Sequence, residues 1–100
     1  MSKSEDPSIP KASSDTQSIS SEQVRAARAL LRWEQKDLAS TSLVSLPTIK
    51  RLETKPGVLQ ANATTIRAIR QACEAAGVEF IPENGGGPGV RLKQRNSEKG

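Results

Sequence analysis

The side chains best suited to chemistry in this sequence are basic groups that lie among small polar residues between positions 35 and 54. Lys50 and Arg51 are adjacent there, and ammonium and guanidinium groups are side chains that bind phosphate oxygens. Histidine is absent and cysteine occurs once, as Cys73, which excludes zinc sites, disulfide frameworks and imidazole acid–base catalysis. We therefore expect a binding protein rather than an enzyme, with no cofactor and no metal.

The composition is that of one small basic domain with polar ends. The chain has 100 residues, and 15 Lys and Arg residues against 11 Asp and Glu residues set the formal net charge at +4. Hydrophobic residues make up 34%, less than the roughly 45–50% of an average globular domain, so we expect residues 1–18 and 94–100 to be disordered tails. No apolar run approaches the roughly 20 residues of a membrane span, and no signal peptide is recognised, so we expect a cytoplasmic protein.

Capping residues and helical spacing predict four helices over residues 19–77. Ser20 and Gln23 have the spacing of a capping box, and apolar residues follow at helical intervals. Ser45 and Asn62 are favourable N-caps for two later helices, and Gly77 is a typical residue just past a helix end. The predicted helices run from Ser20 to about Trp33, from about Gln35 to Ser42, from about Leu46 to Glu53, and from Asn62 to Ala76.

The apolar period changes after the fourth helix, and residues 78–93 predict a β-hairpin. Val78 and Phe80 alternate with polar residues, as do Val90 and Leu92, and the connection between them is rich in glycine and proline. A two-stranded hairpin is marginal by itself in water. We therefore expect an all-α domain whose short C-terminal hairpin packs on the helices or builds a homodimer through residues 78–81 and 90–92.

Residues 35–54 predict a helix-turn-helix, because a turn of about three residues separates two short helices. Ala39 is small where the two helices must cross, and Val44 fills the turn. On the second helix, Ile49, Leu52 and Glu53 face inward at 100° per residue. The residues left on the outward side are Pro47, Lys50, Arg51 and Thr54.

This pattern resembles the Cro/lambda-repressor-type (XRE-like) helix-turn-helix family of bacterial regulators from about residue 21 to residue 77. The resemblance is carried by Gln35, Leu38, Ala39, Val44, Ser45, Ile49 and Glu53. It implies a lambda-repressor-like four-helix DNA-binding domain that reads the major groove of double-stranded DNA with the helix at about 46–53. The implied function is sequence-specific transcriptional regulation, as a repressor. Two positions depart from the family pattern: Leu43 replaces a glycine, and Glu34 replaces a serine cap.

The resemblance also assigns roles to individual residues. Leu46, Pro47 and Arg51 are implied to face base edges, and Ser45 and Thr48 to contact backbone or bases. Gln35, Lys50, Lys55 and Asn62 are implied to contact phosphates. Together with Thr54 on the outward side, the expected DNA-binding residues are Gln35, Ser45, Leu46, Pro47, Thr48, Lys50, Arg51, Thr54, Lys55 and Asn62.

The resemblance further implies a buried ion pair between Arg28 and Glu53, which explains an arginine on the apolar face of the first helix. Two other functions stay open at this point. The domain is compatible with the DNA-binding antitoxin of a toxin–antitoxin pair, in which a polar tail folds onto a toxin protein. It is also compatible with a protein-interaction module on the same fold, although a basic outward helix face is less typical of such modules.

Overall fold

The structure is a computed structural model that describes residues 18–93, in which four helices precede a two-stranded antiparallel sheet. The elements are α1 (Ser21–Leu31), α2 (Gln35–Ser42), α3 (Leu46–Thr54), α4 (Ala63–Ala75), β1 (Val78–Ile81) and β2 (Gly89–Leu92). The order of helices and strands confirms the prediction of a mostly helical domain with a C-terminal hairpin. None of the helices within residues 18–93 is long and apolar enough to cross a membrane. Of the tails predicted for residues 1–18 and 94–100, all residues except Ser18 lie outside the described residues.

The three predicted side-chain caps are present and explain where the helices begin. Ser20 Oγ accepts a hydrogen bond from Gln23 N–H at 3.0 Å, and Gln23 Oε1 accepts one from Ser20 N–H at 2.9 Å, which completes the capping box of α1. Ser45 and Asn62 cap α3 and α4 by accepting the backbone N–H three residues further on. Each cap satisfies an amide that a helix leaves without an internal partner.

The start and the end of α2 are the two positions at which the sequence departs from the family pattern. At the start, Asp37 Oδ2 accepts the Glu34 backbone N–H at 2.8 Å, which is the half of a capping box that does not depend on the side chain of the cap residue. At the end, Leu43 adopts the left-handed conformation with φ 64°, which costs a non-glycine residue about 1–2 kcal/mol. The strain expected from a leucine in this turn is therefore present.

The hydrophobic core draws on all four helices and β1, and Val90 of β2 is partly buried against it. Its largest fully buried side chains include Leu38, Ile49, Ile69 and Val24, contributed by α2, α3, α4 and α1 respectively. Trp33 is half-buried and packs against this cluster. Leu30 lies at the same helical spacing as Val24 and Ala27 of α1, but its side chain is 38% exposed.

The hairpin closes within a single chain and packs on α1 and α4. Val78 and Phe80 are buried in the core, so the prediction that residues 78–81 supply a dimer surface is corrected for these two side chains. Gln23 Nε2 fastens the end of the hairpin by donating to the carbonyl oxygens of Ile81 at 3.2 Å and Gly89 at 2.9 Å.

The segment before α1 is tied to the loop after α3. Leu59 N–H donates to the carbonyl of Ile19 at 2.9 Å, and Ser21 Oγ donates to the carbonyl of Lys55 at 2.7 Å. The Glu22 carboxylate accepts the Gly57 N–H at 3.1 Å, and this hydrogen bond lowers the pKa of Glu22. Since Lys55 directly follows α3, these contacts fix the far end of α3 against α1.

Candidate nucleic-acid interface

The outward side of α3 is the most exposed basic surface of the helix-turn-helix. Ile49, Leu52 and Glu53 are buried against the other helices, as the helical spacing predicted. The four residues predicted to face outward are all exposed in the structure: Pro47, Lys50, Arg51 and Thr54. The turn at residues 43–45 and the packing of α3 on α1 and α2 hold the helix in this orientation.

Positive charge dominates this surface because its single acid is turned inward. Lys50, Arg51 and Lys55 are exposed, whereas the side chain of Glu53 is only 4% exposed and pairs with Arg28. The N-terminus of α3 adds the partial positive charge of a helix end, where amide N–H groups lack partners within the helix. Charged side chains in the second half of α3 and amide groups at its start therefore both favour the binding of anions.

The Arg28–Glu53 pair is present with bidentate geometry, as the resemblance implied. Arg28 Nε donates to Glu53 Oε2 at 2.8 Å, and Arg28 Nη2 donates to Glu53 Oε1 at 2.7 Å. The hydrogen bond to Glu53 raises the pKa of Arg28 above its ordinary value, so the guanidinium stays charged. Arg28 Nη1 also donates to the carbonyl of Trp33 at 3.1 Å. Removing one partner of such a buried pair costs about 3–5 kcal/mol.

Gln35 belongs to the same network. Its Nε2 donates to Glu53 Oε1 at 2.9 Å, so one carboxylate joins the ends of α1, α2 and α3. A side-chain contact from Gln35 Nε2 to a phosphate would compete with this hydrogen bond. The backbone N–H of Gln35 lies at the first position of α2, where helices have no internal partner for it. Any phosphate contact at this position is therefore best made by the main chain.

Several hydroxyl groups of the candidate interface are engaged within α3. Ser45 Oγ donates to Thr48 Oγ1 at 3.0 Å, and Thr54 Oγ1 donates to the carbonyl of Arg51 at 2.8 Å. Leu46 and Thr48 are half-buried, whereas Arg51 is exposed. Arg51 is therefore the outward residue with the greatest capacity to donate hydrogen bonds, since a guanidinium has five N–H donors.

Lys55 and Asn62 differ in their position relative to this surface. Lys55 follows the last residue of α3. Asn62 stands before α4, which packs on α2, and its Oδ1 already accepts the Thr65 N–H at 2.8 Å. The structure thus groups Lys55 with the outward residues of α3 but places Asn62 on a separate element.

Lys36 is a further exposed basic residue beside this surface, and the sequence reasoning missed it. It is exposed at the second position of α2 and lines one shallow depression together with Leu43, Ser45 and Leu46. Glu34 lies 3.8 Å away in a solvent-exposed ion pair, which is worth little at such a position. Lys36 directly follows Gln35, which was predicted to contact a phosphate at the start of α2. This position in the sequence could have identified Lys36.

The chemistry available here is the binding of anions and of hydrogen-bond acceptors. Arg51 and Lys50 supply charged donors, and Leu46 and Pro47 supply apolar contacts. Within residues 18–93 no group of three His, Cys, Asp or Glu side chains is arranged to hold a metal ion. A comparison of the sequence with models of known protein families finds no match, and a comparison with curated proteins finds none either.

Proposed function

We propose that this protein binds double-stranded DNA sequence-specifically with α3 in the major groove and thereby regulates transcription, as a repressor that blocks access to a promoter. The observation that carries the proposal is the exposed basic side of α3, a helix whose single acid, Glu53, is turned inward. No catalytic step belongs to the proposal. The compartment that fits it is the cytoplasm, where bacterial DNA is found.

The dimensions of α3 support this proposal. An α-helix with its side chains is about 10–12 Å across, which fits the roughly 12 Å width of the major groove of B-DNA, and the nine residues of α3 extend about 13 Å along such a groove. The order of four helices and the Arg28–Glu53 pair also support a lambda-repressor-like domain, the fold that the sequence resembles.

The proposed roles follow from side-chain chemistry. Arg51 has the bidentate geometry that suits the O6 and N7 acceptors of guanine. Lys50 and Lys55 carry charge without planar geometry, which suits phosphates. Leu46 and Pro47 have no side-chain donor, so they contribute apolar contact with a thymine methyl group. Sequence preference therefore depends mainly on Arg51.

The test begins with selection of bound sequences from a pool of random duplexes. The Kd values of the wild-type protein, Arg51→Ala and Lys50→Ala are then measured on the selected duplex and on a scrambled one, over a series of salt concentrations. We expect Arg51→Ala to lose about 1–3 kcal/mol on the selected duplex and little on the scrambled one. Lys50→Ala should weaken both duplexes alike and reduce the salt slope by about 1.

Arg25→Ala is the matched control, because Arg25 is an exposed arginine on α1. Its removal should leave the affinity for the selected duplex unchanged. The proposal is wrong if the selection enriches no sequence, or if the three variants lose affinity equally on both duplexes.

A further inference from the structure

The first turn of α3 differs in chemistry from the rest of the helix. Its first two side chains are apolar, because Leu46 is half-buried and Pro47 is exposed. Leu46 also lines a shallow depression together with Leu43, whose side chain is 90% exposed. At 100° per residue, Pro47 lies on the same side of α3 as Lys50 and Arg51, one turn earlier. We call Leu46 and Pro47 the apolar end of α3.

The apolar end has few hydrogen-bond donors. Leucine and proline side chains have none, and proline also lacks a backbone N–H. Ser45 Oγ accepts the N–H of Thr48 at 3.4 Å, and the Ser45 hydroxyl donates to Thr48 Oγ1 at 3.0 Å. The donors that remain within residues 46–48 are the Leu46 amide and the Thr48 hydroxyl, and Thr48 lies about 100° around the helix from Pro47. The surface around Pro47 therefore offers a base edge apolar contact in place of hydrogen bonds.

One group on the base edges of the major groove suits such a surface. Thymine presents its C5-methyl group there beside the O4 acceptor, whereas cytosine presents an N4 amino donor and no methyl group. 5-Methylcytosine combines the polar edge of cytosine with a methyl group at the same ring position as that of thymine. A side chain without donors or acceptors contacts the methyl group of either base and leaves O4 or N4 equally unpaired. The apolar end can thus distinguish methylated from unmethylated pyrimidines, but it cannot distinguish the two methylated bases from each other.

We propose that the apolar end of α3 recognises the C5-methyl group of a pyrimidine whichever base carries it, so that methylation of a cytosine at this position creates a binding site. The inference rests on the proposed function, in which α3 enters the major groove. The class of ligand is DNA that carries thymine or 5-methylcytosine near the guanine contacted by Arg51. Pro47 precedes Arg51 by about one helical turn of 5.4 Å, and successive bases of a strand are about 3.4 Å apart, so the methyl group lies about one or two base pairs from that guanine.

Base analogues in the duplex test the inference on the wild-type protein. The duplex enriched by the selection is synthesised with each thymine replaced in turn by uracil, by cytosine and by 5-methylcytosine, each opposite its complementary base. At a thymine near the guanine, uracil should weaken binding about fourfold, which is the effect of losing one buried methyl group. Cytosine should weaken binding similarly, and 5-methylcytosine should restore the affinity measured with thymine. Thymines further from the guanine serve as controls within the same duplex.

A double variant, Leu46→Ala with Pro47→Ala, tests which residues are responsible for the effect. For each protein, the Kd for the uracil duplex is divided by the Kd for the thymine duplex, so that a loss of folded protein cancels. We expect this ratio to fall from about four in the wild-type protein to about one in the double variant. Arg51→Ala is the matched control on the same helix. It should bind both duplexes more weakly and keep the wild-type ratio, because Arg51 contacts guanine.

The inference is overturned, while the proposed function stands, if uracil binds as well as thymine at every position of the selected duplex. It is also overturned if 5-methylcytosine binds no better than cytosine, because the protein then reads thymine O4 as well. A Kd ratio that the double variant leaves unchanged assigns the methyl contact to other residues and has the same consequence. A selection that enriches no sequence overturns the proposed function, and the inference fails with it.

Discussion

Leu43 combines two unfavourable properties in one residue. Its φ is 64°, and its side chain is 90% exposed, so packing recovers little of the backbone strain. Leu43→Gly should raise the free energy of unfolding by roughly 0.5–1 kcal/mol, because relief of about 1–2 kcal/mol exceeds the roughly 0.4–1 kcal/mol that glycine loses through the unfolded state. Urea denaturation measures the change.

Leu43→Ala is the control for this prediction. Alanine removes the exposed side chain but retains the Cβ that is responsible for the strain. We expect no gain in stability from alanine. A gain as large as that of glycine would show that the exposed leucine side chain, and not the backbone angle, destabilises the wild-type protein.

The residues of the site differ in how far the sequence could predict them. Helical spacing predicted the outward position of Arg51. An arginine on the apolar face of α1 needs an acidic partner, and the resemblance to the family, rather than the spacing, named Glu53 as that partner. The hydrogen bond from Gln35 to Glu53 could not be predicted, because it depends on the angle at which α2 meets α3. Spacing along the chain places a side chain on a face, but it does not select the partner across an interface.

At the scale of elements, Gln23 links the first turn of α1 to the hairpin. It is 5% exposed, and its amide makes hydrogen bonds to Ser20, Ile81 and Gly89. Gln23→Leu removes these bonds at similar volume and should lower the free energy of unfolding by about 1–3 kcal/mol. Amide exchange should also accelerate in β1 and β2 more than in α4.

Gln71→Leu serves as the comparison, because Gln71 is exposed on α4. Gln71→Leu should change neither the free energy of unfolding nor the amide exchange rates of the hairpin. If Gln23→Leu accelerates amide exchange equally in α4 and in the hairpin, the hairpin unfolds only together with the whole domain.

The elements themselves were largely predictable from local signals. The caps Ser20, Ser45 and Asn62 and the change of period after Gly77 indicated the helices and the hairpin within about one or two residues. The position of the hairpin on the helices was not predictable. Gln23 meets Ile81 and Gly89 across 58 and 66 positions of sequence, and no local pattern specifies such a contact.

At the scale of the whole molecule, Cys73 reports on global unfolding. It is fully buried in the core, and burial raises the pKa of its thiol to about 12, so both access and thiolate formation are suppressed. Alkylation by iodoacetamide at neutral pH should therefore require unfolding of the domain. The alkylation rate should rise with urea concentration, and this dependence should match the urea dependence of global unfolding.

A labelling rate that does not depend on urea would contradict this prediction. It would show that α4 opens locally while the remaining helices stay folded. Ile69→Ala provides a positive control, because Ile69 is buried in the same helix and its truncation should cost about 2–5 kcal/mol. The variant should be labelled faster in proportion to its loss of stability.

The division of α3 into a buried side and an exposed side has a consequence for redesign. Lys50 and Arg51 take no part in the packing that holds the helix, and surface substitutions of this kind usually change stability by less than about 0.5 kcal/mol. Variants randomised at positions 50 and 51 should therefore keep the fold of the wild-type protein. New specificities could then be evolved on it while Ile49, Leu52 and Glu53 are left untouched.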